Sequence, residues 1–318
     1  MTTRRFVGNA LCLLLLLSVP GPCAEESVAK VPMELRRNLP FVQVMVNGKG
    51  PFTFGIDTGA GGESLVAPDL IQKLGLPVTG ETEVGDPSGR NPQKVRTINV
   101  DSLKLGDVEF KNVKAIELRP SRMQESTDGI LGFVLFRDYL FTLDYLGQEV
   151  RLARGELAPD GDNQVIPFQS PHDVPTIELR VGTQALDAHL DSRGMGLSLP
   201  EKLTQGLRFV SAPVVIGRGR TVSNDFEIKG AQLASDIQLG GYTFSQPFVE
   251  INPVFPVANF GSIALRNFSV TFDQKNKLVR LVAKEKTIVI APPQIRGPMP
   301  PPALPVPVEV SPKALNPN

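Results

Sequence analysis

The chain of 318 residues contains an internal repeat, and this repeat constrains its fold more than any other feature. When the sequence is shifted by 134 positions, Asp57 falls on Asp191, and Ser64-Leu65 falls on Ser198-Leu199. The register then changes by five, and an offset of 129 gives seven identities in the 23 positions from 132 to 154. Such a repeat predicts two similar lobes, each built from one copy of the unit.

Both copies are rich in short segments that are typical of strands. Residues 42–46 alternate apolar and polar side chains, and Asn47-Gly48 is a hairpin turn into the segment that ends at Asp57. One short helix is predicted over residues 68–76, where Gly75 and Pro77 end it. The pattern predicts an all-β fold with two tandem β-barrel lobes related by internal duplication, together with short helices.

Composition divides the chain into five parts. Residues 1–24 combine Arg4 and Arg5 with an apolar run that is too short to span a bilayer, which is typical of a secretory signal peptide. We therefore expect an exported protein, periplasmic or secreted, with no membrane span. The remaining parts are the first lobe, a polar linker, the second lobe and a proline-rich, disordered tail, at residues 25–155, 156–172, 173–285 and 286–318.

Several function classes are excluded by what the chain lacks. Lysine plus arginine equals aspartate plus glutamate, 33 each, so no net charge recruits nucleic acid. Both cysteines, Cys12 and Cys23, lie in or beside the signal segment, and neither His172 nor His189 has metal-ligand spacing. Nucleotide-binding motifs and a serine-hydrolase elbow are also missing. We expect no metal and no cofactor, and the available catalytic side chains are carboxylates.

Asp57 lies between an apolar strand segment and a glycine-rich turn, within residues 54–65. Most Asp-x-Gly stretches are simple surface turns, which is the alternative interpretation. In a duplicated chain, however, Asp57 and Asp191 would face each other across a pseudo-two-fold axis. Two carboxylates at contact distance share one proton, so one can act as a base while the other acts as an acid. This chemistry suits amide hydrolysis by a water molecule without a covalent enzyme intermediate.

The stretch Asp57-Thr58-Gly59-Ala60, followed by Ile130-Leu131-Gly132, resembles the retropepsin-like and pepsin-like aspartic proteases, especially exported bacterial members. The resemblance covers about residues 31–285. It implies that Asp57 and Asp191 are catalytic and that the hydroxyl residues after them, Thr58 and Ser192, hydrogen-bond across to the opposite lobe. Gly59, Ile130, Leu131 and Gly132 would support the active-site turns.

In this family a glycine-rich hairpin, the flap, covers the cleft. The flap candidates are residues 84–91, with Gly85 and Gly89, and residues 216–221, with Gly217 and Gly219. Neither candidate carries the aromatic tip residue of pepsin.

The second copy departs from the family pattern at two places. Arg193 stands where the first copy has Gly59, which predicts a distorted turn. Asn259-Phe260-Gly261 stands where the first copy has Ile130-Leu131-Gly132. We interpret Arg193 as a solvated or ion-paired side chain, and we attribute the position of His189 to strand alternation.

The leading hypothesis is an exported aspartic endopeptidase that acts as a monomer on peptide or protein substrates. One alternative is a catalytically inactive pseudoprotease that binds peptide or a partner protein in the same cleft. Another is a single active lobe that works as a homodimer. Loss of hydrolysis in Asp57→Asn, peptide binding without turnover, or full activity in Asp191→Asn would separate the three.

Overall fold

The computed structural model describes residues 25–86, 88–118, 127–220 and 225–292. The signal segment predicted at residues 1–24 and most of the proline-rich tail lie outside these ranges. Strands dominate the described chain and helices are short, which confirms the predicted all-β, two-lobe fold. None of the helices in the described ranges combines the length and apolar character that a bilayer crossing needs.

The described residues of the first half of the chain contain eleven strands and one α-helix. The helix, α1, is Pro68–Leu74, and Gly75 ends it with a φ of 64°, so the predicted helix and its glycine stop are confirmed. The strands are β1 (Glu26–Pro32), β2 (Glu34–Arg36), β3 (Leu39–Val46), β4 (Lys49–Asp57), β5 (Ser64–Val66), β6 (Val78–Val84), β7 (Gln93–Leu105), β8 (Val108–Glu117), β9 (Gly129–Gly132), β10 (Leu140–Asp144) and β11 (Glu149–Arg154).

In the second half, the part that the structure describes adds thirteen strands and the short helix α2 (Ser262–Leu265). The strands are β12 (Val165–Pro167), β13 (Thr176–Val181), β14 (Gln184–Leu190), β15 (Leu197–Pro200), β16 (Val214–Arg220), β17 (Asp225–Gln232), β18 (Ile237–Leu239), β19 (Tyr242–Phe244), β20 (Phe248–Asn252), β21 (Ala258–Phe260), β22 (Phe268–Asp273), β23 (Leu278–Ala283) and β24 (Thr287–Ile288). Three-residue or four-residue 3-10 turns lie at Phe133–Phe136, Pro171–Asp173 and Glu201–Thr204.

Each half forms one large sheet, and the two sheets have the same strand order. The first contains the run β3-β4-β9-β5-β8-β7-β6, and the second contains the corresponding run β13-β14-β21-β15-β20-β17-β16. In both runs the strand that leads to an aspartate pairs in parallel with a later strand of the same lobe, β4 with β9 and β14 with β21. The repeat seen in the sequence is thus a repeat of topology.

A third sheet joins the lobes, in the order β1-β11-β10-β22-β23-β12. Its central strands, β10 and β22, are the two copies of one repeat element. Thr142 pairs with its own counterpart, Thr271, and their hydroxyl oxygens lie 2.9 Å apart. A pseudo-two-fold axis therefore passes between these two threonines.

Side-chain alternation on β4 explains how the first aspartate reaches the surface of its lobe. Phe52, Phe54 and Ile56 are buried in the hydrophobic core, whereas Thr53 and Asp57, on the opposite face, are half-buried. The same core cluster continues through the shared sheet into the second lobe. The aspartate-bearing strands are thus anchored in one continuous core.

Two segments outside the predicted lobes also join the sheets. β12, within the linker predicted at residues 156–172, pairs with β23. β24 pairs with β19, although the sequence places residues 286–318 in the tail. Ile288 and Ile290 are buried, so these apolar β-branched residues extend the second sheet beyond the predicted boundary at residue 285.

Candidate active site

Asp57 ends β4 and is held at the start of its turn by the neighbouring backbone. In the parallel pair with β9, Asp57 lies opposite Gly132. The Gly59 N–H donates a hydrogen bond of 3.0 Å to the Asp57 carboxylate. The pairing of β4 with β9 and the amide of Gly59 therefore fix the direction of this carboxylate.

Asp191 occupies the equivalent position directly after β14. Its N–H donates to the Phe260 carbonyl at 3.2 Å. Its carboxylate oxygen Oδ1 accepts hydrogen bonds from the backbone N–H groups of Arg193, at 2.9 Å, and Gly194, at 2.7 Å. The Arg193 amide thus performs the task of the Gly59 amide, and the predicted distortion of this turn does not disrupt that hydrogen bond.

Thr58 and Ser192 lock the two turns together, as the family resemblance implies. Both residues are buried, with exposures of 1% and 0%. Their hydroxyl groups donate across the lobe boundary, Thr58 to the Leu190 carbonyl at 2.6 Å and Ser192 to the Ile56 carbonyl at 2.8 Å. The same hydroxyl groups accept from the opposite backbone, Thr58 N–H to Ser192 at 3.0 Å and Ser192 N–H to Thr58 at 2.9 Å.

The Asp191 carboxylate lies against the turn that carries Asp57. A Cβ atom on Gly59 would lie 2.5 Å from Cγ of Asp191. Any larger residue at position 59 would therefore displace this carboxylate. Because Gly59 also donates to Asp57, the same residue contacts both aspartates. The structure brings Asp57 and Asp191 to one site at the lobe boundary.

Gly132 and Gly261 each lie in close contact with the backbone of one aspartate turn. A Cβ atom on Gly132 would lie 2.5 Å from the Gly62 carbonyl oxygen, and one on Gly261 would lie 2.5 Å from the carbonyl oxygens of Gly194 and Gly196. Ile130 and Leu131, which precede Gly132 in β9, are buried. The apolar-apolar-glycine segment is therefore a buried strand followed by a close backbone approach.

Asp191 is surrounded by opposing electrostatic effects. Burial raises its pKa above the usual aspartate range, and this is the largest effect. The N–H groups of Gly194 and Arg193, the charge of Arg193 and a hydrogen bond from the Asn259 side chain act in the opposite direction. The pKa of Asp191 lies above its ordinary value, so the pair retains a proton at a higher pH than an isolated aspartate would.

Asn259 is a site residue that the sequence did not identify. Asn259 stands where the first copy has Ile130. The replacement of this apolar residue by an amide was the sole indication in the sequence that position 259 differs in function. In the structure its side chain hydrogen-bonds to Asp191. Asn259 therefore gives Asp191 a polar side-chain neighbour at the position where the first copy has the apolar Ile130.

Tyr145 was also missed, because nothing in its local sequence marks it. It follows β10 and is buried, with an exposure of 4%. Burial raises the pKa of its hydroxyl, and the charges of Asp191 and Asp57 raise it further. Among the described residues its hydroxyl has no hydrogen-bond partner. Tyr145 thus places a buried hydroxyl group near both aspartates.

Glu250 lies beside the second turn. Its carboxylate contacts the backbone of Gly196, and burial raises its pKa. In the first lobe the corresponding position opposite Ser64 is Ala115, whereas Glu250 lies opposite Ser198. His189, one strand position before Leu190, is half-buried, and burial lowers its pKa.

The flap candidates lie on hairpins of corresponding position in the two lobes. Gly85 and Gly89 lie in the connection between β6 and β7. Gly217 and Gly219 lie within β16, which pairs with β17, and the residues that join those two strands fall outside the described ranges. No group of three or more His, Cys, Asp or Glu side chains in the described ranges is arranged to hold a metal ion.

Comparison with known proteins agrees with the geometry of the first lobe. Residues 42–135 match the family model for aspartyl protease. The matched segment includes the Asp57 turn and the Gly132 contact, and it ends before the second copy begins. No curated protein matches the chain. The match thus lies in the lobe that carries Asp57, and this lobe is similar to the aspartyl protease family.

Proposed function

We propose that the chain is an aspartic endopeptidase that hydrolyses peptide bonds with a water molecule held between Asp57 and Asp191. The observation that carries this proposal is the set of four hydrogen bonds through Thr58 and Ser192, which ties the two aspartate turns to each other. Inferred export, from the signal predicted at residues 1–24, is part of the same proposal.

In the proposed reaction the pair carries one proton. The ionised carboxylate removes a proton from the water as the water attacks the peptide carbonyl carbon. The protonated carboxylate donates its proton to the carbonyl oxygen, which gives a tetrahedral diol. The carboxylate that took the proton of the water then donates it to the nitrogen, while the other carboxylate accepts a proton from one diol hydroxyl. The C–N bond breaks, the amine leaves and the pair again carries one proton. No covalent bond to the protein forms. An extended peptide would lie as an added strand beneath the flap hairpins.

The monomeric form of this proposal is favoured over a homodimer of first lobes. Thr58 already finds its partner, Ser192, within the same chain, and both are fully enclosed there. A second chain could supply another Asp57 only if these contacts were broken. The pseudoprotease alternative rests on Arg193, which places a cation where the first turn has glycine.

The test is hydrolysis of a mixed peptide library over a range of pH, with products identified by mass spectrometry. We expect cleavage that is strongest at acidic pH, where the pair holds one proton, and that a statine-type inhibitor blocks. A chain that binds peptides without cleaving them at any pH would contradict the proposal and support the pseudoprotease.

A further inference from the structure

Arg193 extends from the second turn onto the strand that carries the first aspartate. Its guanidinium lies so close to the backbone of Gly55 that a Cβ atom at position 55 would collide with its Nη1 atom. The guanidinium carbon lies 5.2 Å from the centre of the Phe41 ring. The guanidinium therefore packs against Gly55, which has no side chain, and against Phe41, the neighbour of Gly55 on β3. We call these two residues the seat of the guanidinium.

This seat lies on the same face of β4 as Asp57. Residues two apart on a strand point to one side, and Gly55 precedes Asp57 by two. The opposite face, with Phe54 and Ile56, is buried in the core. Arg193 therefore places its guanidinium on the face of β4 that also carries Asp57.

The guanidinium has hydrogen-bonding capacity that the protein does not use. Nη1 of Arg193 is buried and has no hydrogen-bond partner among the described residues. A guanidinium carries five N–H donors in a planar fork that matches a carboxylate, and a buried donor without a partner is costly. The side chain as a whole is half-buried rather than fully enclosed, so a ligand that fits beside Gly55 and Phe41 can reach the guanidinium. A carboxylate is the ligand that would satisfy this fork best.

We propose that Arg193 is a carboxylate-binding residue of the cleft and that preferred peptides carry an acidic group beside the bond that is cleaved. This inference rests on the proposed function. Because the counterpart of Arg193 in the first turn is Gly59, only one of the two aspartate turns carries a cation. The carboxylate is therefore expected on one side of the cleaved bond only.

The experiment uses three pools of octapeptides that are random in neutral residues. The first pool has both ends blocked and one fixed glutamate, the second has glutamine at that position, and the third has glutamine and a free C-terminal carboxylate. Each pool is passed over the full-length immobilised chain, and mass spectrometry quantifies both the retained peptides and any cleavage products. Comparison of the first and third pools distinguishes a side-chain carboxylate from a chain terminus.

The variant is Arg193→Met, which keeps an apolar stem on Phe41 but removes the fork. The matched control is Arg36→Met, because Arg36 lies over the same ring, at 4.7 Å, but is paired with Glu34. In the unaltered chain and the control, we expect a carboxylate pool to be retained roughly tenfold better than the glutamine pool. In Arg193→Met the ratio should fall to about one. If Arg193→Met fails to fold, Arg193→Lys replaces it. This variant keeps the charge but not the fork, and its ratio should lie between about one and about ten.

Equal retention of the pools by the unaltered chain, no retention of any pool, or an unchanged preference in Arg193→Met would overturn the inference. Cleavage at sites without an adjacent acidic group would overturn it while leaving the peptidase proposal intact. A carboxylate preference that Arg193→Met abolishes, without cleavage in any pool, would support the inference and contradict the peptidase proposal.

Discussion

Asp57 and Asp191 are the same residue type in two different surroundings. The Asp57 turn contains Gly59 and Ala60, whereas the Asp191 turn contains Arg193 and receives the Asn259 amide. A duplicated chain begins with two equal halves, so these differences are the places where the halves have acquired separate tasks. The first predictions therefore concern single residues.

Gly59→Ala should disable the site. The added methyl group would lie 2.5 Å from Cγ of Asp191 and would push that carboxylate away from Asp57. We expect a loss of hydrolysis of roughly a hundredfold or more and a loss of about 1–3 kcal/mol in the free energy of unfolding. The matched control is Gly161→Ala, where a methyl group would meet nothing within 4 Å. Activity of Gly59→Ala equal to that of the control would contradict the close approach.

Asp191→Asn should change how stability depends on pH. Burial raises the pKa of Asp191 in the folded chain, so the folded state binds the proton more tightly than the unfolded state. The contribution of this proton to the free energy of unfolding is complete below the ordinary aspartate pKa. It is lost as pH rises through the pKa that Asp191 has in the folded state. Asparagine has no proton to lose, so the gain in stability of Asp191→Asn over the unaltered chain should grow as pH rises above the ordinary aspartate pKa of about 4.

Denaturant unfolding at several pH values measures this difference. Asp107→Asn, at an exposed hairpin turn, is the control for a general loss of negative charge. A gain that shrinks as pH rises would show that the hydrogen bonds and the Arg193 charge outweigh burial.

At the scale of elements, the site depends on two backbone segments that meet at Thr58 and Ser192. The strands β4 and β14 arrive from opposite lobes, and each hydroxyl both donates to and accepts from the backbone of the opposite lobe. Each turn is therefore completed by the other lobe.

The variants Ser192→Ala and Thr58→Val should each cost about 1–3 kcal/mol in the free energy of unfolding, because each leaves buried backbone groups without partners. The double variant should differ from the sum of the two by at least about 0.5 kcal/mol, since the two side chains share one network. Thr243→Val, which loses an exposed contact to Gln238, is the control and should cost less than about 0.5 kcal/mol. Strictly additive, small effects with unchanged hydrolysis would contradict the interlocked turns.

The elements that the sequence predicted correctly are those specified by neighbours in the chain. Strand alternation before Asp57, the Gly75 stop and the Asp-Thr-Gly turn depend on local backbone preferences. The contacts that it missed join distant positions, such as Asn259 with Asp191 and Arg193 with Gly55. Such contacts depend on which strands lie side by side, and alternation along one strand carries no information about its neighbour.

At the scale of the whole molecule, the two lobes are joined by a shared sheet and by one continuous core. The axis at Thr142 and Thr271 relates the two halves, and the sequence repeat predicted this symmetry. The shared sheet also follows this symmetry at its edges, where β1 pairs with β11 and β12 pairs with β23. The account as a whole requires that both carboxylates of the catalytic pair come from one chain.

The most direct test measures peptide hydrolysis by Asp57→Asn, by Asp191→Asn and by an equimolar mixture of the two, with the molecular mass followed by light scattering. If the pair forms within one chain, each variant is inactive, the mixture stays inactive, and the active unaltered protein is a monomer. Activity in Asp191→Asn alone, or activity regained on mixing, would mean that two chains supply the pair and would contradict the account.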